Sequence, residues 1–166
     1  DVHSYNYRLL YPPKSIEWMN KEDNNATLFA TMTDLLGQKA LENGAEDSVS
    51  FLPALYGKKI VSTRKGVIHH SISGHFAYRQ GPWKLLLAKA SGGWTSPNER
   101  QAPAGSPLGQ LYNMSTDLGE KKNLYKEKPE MVLSLLALLE KDIKRGRSTK
   151  GPRSQNDIND IKIWKS

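Results

Sequence analysis

The sequence predicts an α+β fold in which a small antiparallel sheet of about four strands packs against a long C-terminal helix. Between Gly66 and Leu124, short apolar stretches alternate with glycine, proline and serine clusters, a pattern typical of strands joined by turns. After Pro129, apolar residues recur at helical spacing. The 166 residues are enough to bury one core, and no apolar stretch approaches the length that spans a bilayer. No membrane partner is therefore expected.

Four strands are predicted over residues 67–72, 76–80, 83–87 and 110–114. The dipeptide Gly81-Pro82 leaves only two residues to reverse the chain, so the second and third strands should pair antiparallel. Alternation along these strands predicts two sets of side chains on opposite faces: Phe76, Tyr78, Trp83, Leu85 and Leu87 on one, and Ala77, Arg79, Lys84 and Leu86 on the other. We expect one face to pack on a helix and the other to stay partly in contact with water.

Two helices are predicted before the sheet. The first covers about residues 27–38, with Asn25 as its N-cap. The second starts after Ser50 and stops at Gly57, and it tolerates Pro53 because that residue lies in its first turn. This short helix should bury four large side chains, which are Phe51, Leu52, Leu55 and Tyr56.

The C-terminal helix is predicted from Pro129 to about Arg145, where Gly146 ends it. Its apolar stripe consists of Met131, Val132, Leu135, Leu136, Leu139 and Ile143. The polar residues 148–155 that follow are expected to be disordered. Alternation of Ile161 and Ile163 with a lysine indicates a last strand.

Two stretches carry a family resemblance. Residues 69–94 read HHSISGHFAYRQGPWKLLLAKASGGW, and residues 110–124 read QLYNMSTDLGEKKNL. Both resemble the C-terminal subdomain of type I sulfatases, the formylglycine-dependent, alkaline-phosphatase-like arylsulfatases. Residues that match the family motifs are Arg79, Gly81, Trp83, Lys84, Leu111, Tyr112, Asn113, Asp117, Glu120, Asn123 and Leu124, whereas Met114 and Leu118 replace the usual Leu and Pro.

The resemblance also suggests how the chain is divided. Residues 30–58 look like the family's linker from the catalytic domain. We therefore assign residues 1–25 to a boundary segment of unclear structure, 26–65 to linker helices, 66–147 to the sulfatase C-terminal subdomain and 148–166 to a polar basic tail.

The resemblance implies hydrolysis of sulfate esters, of a carbohydrate or an aryl sulfate, in a periplasmic or extracellular enzyme. Such enzymes use a nucleophile made from Cys or Ser in a Cys/Ser-x-Pro-x-Arg motif, together with calcium. This chain has no Cys, and in Ser96-Pro97-Asn98-Glu99-Arg100 the proline comes one residue too early. We expect no catalytic residue and no metal site in this chain. Formylglycine and calcium are expected in an upstream catalytic domain, which is the predicted partner.

Four residues are candidates for substrate binding: His69, His70, Arg79 and Trp94. The two histidines are adjacent on a strand and so point to opposite faces, which lets one of them face a substrate. Arg79 suits bidentate contact with a sulfate or carboxylate, and its alternative is an ion pair with Glu120. Trp94 lies in a long loop, residues 88–109, where it either stacks beside a sugar ring or folds back over the sheet.

Three other functions stay open. His69, His70 and His75 could form a zinc site if the hairpin brings them together. The net charge of +7 suits a non-catalytic binding module for a sulfated glycan or other polyanion, with Trp94 and Tyr112 on a basic face, although it also fits an ordinary solvated surface. Nucleic-acid binding would use the basic residues after position 143, but no recognised motif accompanies them, so no nucleic-acid partner is predicted.

Overall fold

The computed structural model describes residues 24–39, 46–60, 64–158 and 160–165. Nearly all of the predicted boundary segment, residues 1–25, lies outside this range. The described residues divide into two compact units. One contains residues 68–141 and the described part of 157–165, and the other contains the described residues between 24 and 67 together with 142–156.

The first unit is built on a four-stranded antiparallel sheet whose strand order follows the chain. Its strands are β1 (Val67–His70), β2 (Phe76–Gln80), β3 (Trp83–Leu86) and β4 (Gln110–Asn113). At the β2–β3 turn Gly81 has a φ of 54° and Pro82 follows, the pattern of a type II′ hairpin turn. The predicted meander and its tight turn are confirmed.

The strand register assigns side chains to the two faces as predicted. Tyr78 pairs with Leu85, which pairs with Leu111, and all three side chains are fully buried. The opposite face was expected to stay partly in contact with water. Instead Ala77, Lys84 and Leu86 are buried there as well, and Ala77 and Leu86 form a small cluster with Ala88.

Helix α3 (Pro129–Arg145) has the predicted bounds. Proline suits the first helical position because it has no N–H to satisfy, and Gly146, with a φ of 72°, provides the left-handed residue that ends many helices. Three side chains of its apolar stripe, Val132, Leu135 and Leu139, belong to the hydrophobic core. Burying them contributes about 1.5–3 kcal/mol each.

Residues of the second sequence motif complete the outer edge of β4. The Leu111 N–H donates to Asn123 Oδ1 at 3.1 Å, and the Leu124 N–H donates to the Leu111 carbonyl at 2.8 Å. The Asp117 carboxylate accepts hydrogen bonds from the N–H groups of Lys121 and Lys122, which lowers its pKa. These motif residues therefore have structural roles, since they satisfy backbone groups that a strand edge would leave open.

The second unit contains α1 (Asn24–Leu35) and α2 (Leu52–Leu55). Helix α1 begins one residue before Asn25, so that residue is not the N-cap as predicted. The Phe51 N–H donates to Thr31 Oγ1 at 3.0 Å. The predicted burial at α2 is wrong, because none of the four side chains is buried: Phe51 and Leu52 are half-buried, and Leu55 and Tyr56 are 57% and 66% exposed.

The expected disorder of residues 148–155 is also wrong. The Ser148 N–H and hydroxyl both donate to Asp47 Oδ1, the Thr149 hydroxyl donates to the Glu46 carbonyl, and Ser148 and Thr149 are buried. Elsewhere, no strand forms in the described residues 160–165, so the predicted last strand is absent. No helix in the described ranges is long and apolar enough to cross a membrane.

Candidate functional site

His70 stands at the end of β1, next to the turn that leads into β2. Its ring meets the ring of Phe76 edge-on, with centroids 4.2 Å apart, so both side chains lie on the same face of the sheet. His69 precedes it on the strand and therefore points to the other face. The two imidazoles point to opposite faces, as the sequence predicted. His70 is exposed, whereas His69 is half-buried.

Lys165 lies against the same turn. A Cβ built on Gly74 would be only 2.8 Å from Lys165 Nζ, so the ammonium group packs directly on that glycine. Partial burial and the charge of Lys165 both lower the pKa of His70. Sequence reasoning missed Lys165, because it lies about 90 residues after the turn and no local signal pairs the two segments.

Trp94 belongs to the loop after β3, and the two glycines before it lie against the turn between β1 and β2. A Cβ on Gly93 would lie 3.5 Å from Ile72 Cγ2, and a Cβ on Gly92 would lie 3.4 Å from His75 Cβ. The indole itself is 85% exposed, so it does not fold back over the sheet. Ile72 is 67% exposed. We call the side chains of His70, Ile72, Trp94 and Lys165 the hairpin surface.

The loop that carries Trp94 is held by two polar side chains. The Glu99 carboxylate accepts hydrogen bonds from the N–H groups of Lys89, Ala90 and Gly92, at 2.8, 2.9 and 3.1 Å. The Gln110 amide donates to the carbonyls of Ala88 and Ala90 at 2.9 and 2.5 Å. Side chains thus provide hydrogen-bond partners for N–H groups and carbonyls of this backbone segment. The segment can therefore be stable without regular secondary structure.

A second polar group lies on the opposite face of the sheet. Arg79 and Lys84 are direct cross-strand partners, an arrangement that is unfavourable without a counterion. The Glu120 carboxylate supplies one, with Oε1 2.6 Å from Lys84 Nζ. Glu120 holds this position although its φ of 52° is costly for a residue with a side chain. We call Arg79, Lys84, Tyr112 and Glu120 the charge cluster.

The pKa values in the charge cluster reflect its burial. Burial lowers the pKa of Arg79, while the nearby Glu120 charge acts in the opposite direction. The buried Arg79 Nε has no hydrogen-bond partner in the part of the chain that the structure describes. Burial, followed by the charges of Glu120 and Asp117, raises the pKa of Tyr112 to about 12. The Tyr112 hydroxyl donates to Gln110 Oε1.

The four candidate residues therefore do not form one site. His70 and Trp94 belong to the hairpin surface, whereas His69 and Arg79 lie toward the face of the charge cluster. The alternative for Arg79 was an ion pair with Glu120 or another surface acid, but the ion pair of Glu120 is with Lys84.

The zinc alternative is wrong for the described residues, since none of them form a group of three His, Cys, Asp or Glu side chains that could hold a metal ion. His75 is buried, with Nδ1 3.1 Å from the Leu87 carbonyl oxygen, and is thus engaged by the protein. The described residues likewise contain no group of carboxylates that could hold calcium.

Comparisons with known proteins agree with the fold. No protein-family model matches the chain. It is 34% identical over 119 residues to N-acetylgalactosamine-6-O-sulfatase of Bacteroides thetaiotaomicron, which covers 68% of this chain and 22% of that enzyme. A sulfatase structure from a study of glycosaminoglycan metabolism by Bacteroides thetaiotaomicron is 30% identical, with a TM-score of 0.53 over 69% of this chain and 23% of that one.

The structure of a 2-O GAG sulfatase has the same fold, with a TM-score of 0.52 and 24% identity over 72% of this chain and 24% of that one. The chain thus spans between a fifth and a quarter of the length of these relatives. The motif residues that identify the family are those that shape the β2–β3 hairpin and the edge of β4. By sequence and by fold, the chain belongs to the sulfatase family, of which it represents a C-terminal portion.

Proposed function

We propose that this chain is the carbohydrate-facing C-terminal part of a sulfatase that hydrolyses sulfate esters of sugars. The observation that carries the proposal is the hairpin surface. It combines an indole that is 85% exposed with an exposed ammonium group and a partly exposed imidazole. A sulfated sugar offers the matching chemistry, because its ring has an apolar C–H face for the indole and its sulfate is an anion for the cation.

The relatives narrow the substrate class. One of them is named for the 6-O-sulfate of N-acetylgalactosamine, and another comes from work on glycosaminoglycan metabolism. A 6-O-sulfated amino sugar is therefore the first substrate to test. In the charge cluster, Lys84 is buried and paired with Glu120, so the exposed hairpin surface is the better candidate for binding.

The chemistry of ester hydrolysis would come from another part of the enzyme. Formylglycine and calcium, when present, supply the nucleophile and polarise the sulfate. This sequence has no Cys, and its Ser96-Pro97 spacing does not fit the required motif. We propose that His70 and Trp94 position the sugar, and that the chain by itself does not release sulfate.

The contact with that catalytic part is proposed to lie on the second unit. Seven large apolar side chains are exposed there, which are Leu28, Phe29, Met32, Leu35, Leu36, Leu55 and Tyr56. Exposed apolar surface of this extent indicates a protein contact. The relatives are four to five times longer than the matched region, so the remaining sulfatase polypeptide is the proposed occupant.

A pair of charged substitutions tests this contact. Leu28→Glu with Leu35→Glu should leave the Tm of the 166-residue chain almost unchanged, because both side chains are about half exposed in it. In an intact protein that includes the catalytic part, the same pair should lower the Tm by several degrees because the carboxylates would be buried. Equal effects in the two proteins would contradict the contact.

Trp94→Ala tests the carbohydrate-facing role. In the intact protein we expect KM for a 6-O-sulfated sugar to rise about tenfold, since an aromatic contact of this kind is worth on the order of 1 kcal/mol or more. Leu118→Ala, which truncates another highly exposed side chain, is the matched control and should leave KM unchanged. An unchanged KM for the Trp94 variant would contradict the proposal.

The second candidate function is a binding module for sulfated glycans without hydrolysis, which the exposed Trp94 also favours. The intact protein distinguishes the two functions. Sulfate release that requires the catalytic part supports the sulfatase. Binding of sulfated oligosaccharides without sulfate release from any of them would establish the binding module instead.

A further inference from the structure

We propose that Lys165 makes the hairpin surface specific for acidic sugars, by contacting a sulfate or carboxylate on the glycan whose ring lies on Trp94. This inference rests on the proposed function and extends it, since it assigns a charged contact to a residue outside the motifs. The contact would select polyanionic oligosaccharides over neutral ones of the same ring structure.

The position of Lys165 is built into the turn that it contacts. Gly74 has a φ of 76°, a conformation that favours glycine, and any Cβ there would meet the Lys165 ammonium at 2.8 Å and its Cε at 3.3 Å. The lysine side chain therefore occupies the space that a larger residue at position 74 would fill.

The ammonium group is also available for an anion. Lys165 is exposed and forms no ion pair or hydrogen bond with a residue that the structure describes. Its positive charge acts on His70, where it contributes, after burial, to lowering the pKa of the imidazole. An anion close to Lys165 would be attracted by a positive charge that no acidic residue of the described ranges neutralises.

Lys165 and the loop that carries Trp94 contact the same turn between β1 and β2. Lys165 packs on Gly74, while the glycine before Trp94 packs on Ile72 in the same turn. The ends of a four-residue turn lie within about 7 Å of each other. A sugar on the indole therefore has its substituents, or those of the adjoining sugar, within reach of the ammonium group.

The test measures binding of a chondroitin 6-sulfate tetrasaccharide to the full chain by calorimetry. Lys165→Ala should weaken binding about five- to tenfold, as expected for one charge-assisted contact at a surface. Lys162→Ala is the matched control, because it removes another exposed lysine from the same segment. It should change the affinity less than about twofold.

Two results would overturn the inference. One is an affinity of the Lys165 variant within twofold of the unsubstituted chain. The other is an equal loss for Lys162→Ala, which would mean that only net charge matters. Lys165→Arg should keep most of the affinity, because it preserves the charge. Circular dichroism of each variant checks that the fold is retained.

The same experiment separates this inference from the proposed function. If Trp94→Ala abolishes binding but Lys165→Ala has no effect, the carbohydrate-facing role stands and the inference is wrong. If the unsubstituted chain does not bind the tetrasaccharide, the inference about Lys165 is wrong, whereas the proposed function is decided by KM of the intact protein and its Trp94→Ala variant. Desulfated and carboxyl-reduced tetrasaccharides then identify the acidic group, since the variant and the unsubstituted chain should bind equally to the one that lacks it.

Discussion

The hairpin surface and the charge cluster both combine cations with aromatic rings, yet only one of them is open to a ligand. In the charge cluster Lys84 is buried, its ammonium group is paired with Glu120, and Tyr112 donates to Gln110. In the hairpin surface the indole and the ammonium group face solvent.

The difference shows that residue type does not by itself identify a binding site. Arg79 has the chemistry to bind a sulfate, but the buried cluster has a structural counterion of its own in Glu120. Lys165 is an ordinary lysine in sequence, but no acidic residue in the described ranges pairs with it. What a protein leaves unpaired is therefore more informative than what it contains.

The largest expected effect comes from Glu120→Gln. It would leave Lys84 buried and opposite Arg79 without a counterion, so we expect the free energy of unfolding to fall by about 2–4 kcal/mol. Urea denaturation measures the loss. The matched control is Glu127→Gln, because Lys122–Glu127 is an ion pair of 3.0 Å whose side chains are 68% and 54% exposed.

The control should change the free energy of unfolding by less than about 1 kcal/mol. Losses of similar size in the two variants would mean that the charge cluster is no more tightly coupled to folding than an exposed pair. The contrast between the two regions would then rest on exposure alone.

A smaller effect is expected for Glu99→Ala, which removes the acceptor for three backbone N–H groups below Trp94. We expect a loss of about 1–2 kcal/mol, because water can replace part of these bonds. Hydrogen exchange should accelerate at Lys89, Ala90 and Gly92. The amides of Leu85 and Leu86 in β3 serve as an internal control, and equal acceleration there would indicate general destabilisation instead of local loosening.

The smallest effect concerns pH and His70. Its folded pKa is lowered, by burial and then by Lys165, so the unfolded chain binds more protons between that pKa and the unfolded value of about 6.5. The free energy of unfolding should therefore rise with pH across this window. It should fall again as pH is lowered through the window, because the unfolded chain takes up the proton more readily. Because His70 is exposed, we expect less than about 1 kcal/mol.

Urea denaturation at pH 5 and pH 8 checks this effect in the unsubstituted chain and in His70→Gln. The variant should show a smaller rise in stability between the two values of pH. Lys165→Ala should reduce the rise only in part, because burial is the larger cause. A rise of the same size in His70→Gln would show that other groups account for it.

Much of the fold could be predicted because its signals are local. Helix α3 starts at Pro129 and ends before Gly146, and the β2–β3 turn follows from Gly81-Pro82. The failures involve distant partners. Residues 148–149 were expected to be disordered because they are polar. However, Asp47 accepts both hydrogen bonds of Ser148, and the Glu46 carbonyl accepts the one from the Thr149 hydroxyl, from about 100 positions away.

The candidate site was predictable only in part for the same reason. Alternation along β1 separates His69 from His70, and the glycines beside Trp94 indicate a loop that can approach another backbone. Nothing in the sequence predicts that Lys165 lies on Gly74. Nor does the sequence predict that Glu120 forms its ion pair with Lys84 instead of Arg79. These pairings depend on how the sheet, the loop and the final segment meet.

The strand order of the sheet has a consequence for how the protein is made. Because β1 to β4 pair with their neighbours in sequence, each hairpin can close in about 1–10 μs. Translation adds about 5–20 residues per second, so the segment with Lys165 follows the β1–β2 turn by several seconds. A nascent chain thus acquires its sheet first. Under the proposal for Lys165, selection of an acidic sugar would also require that this later segment has emerged and docked.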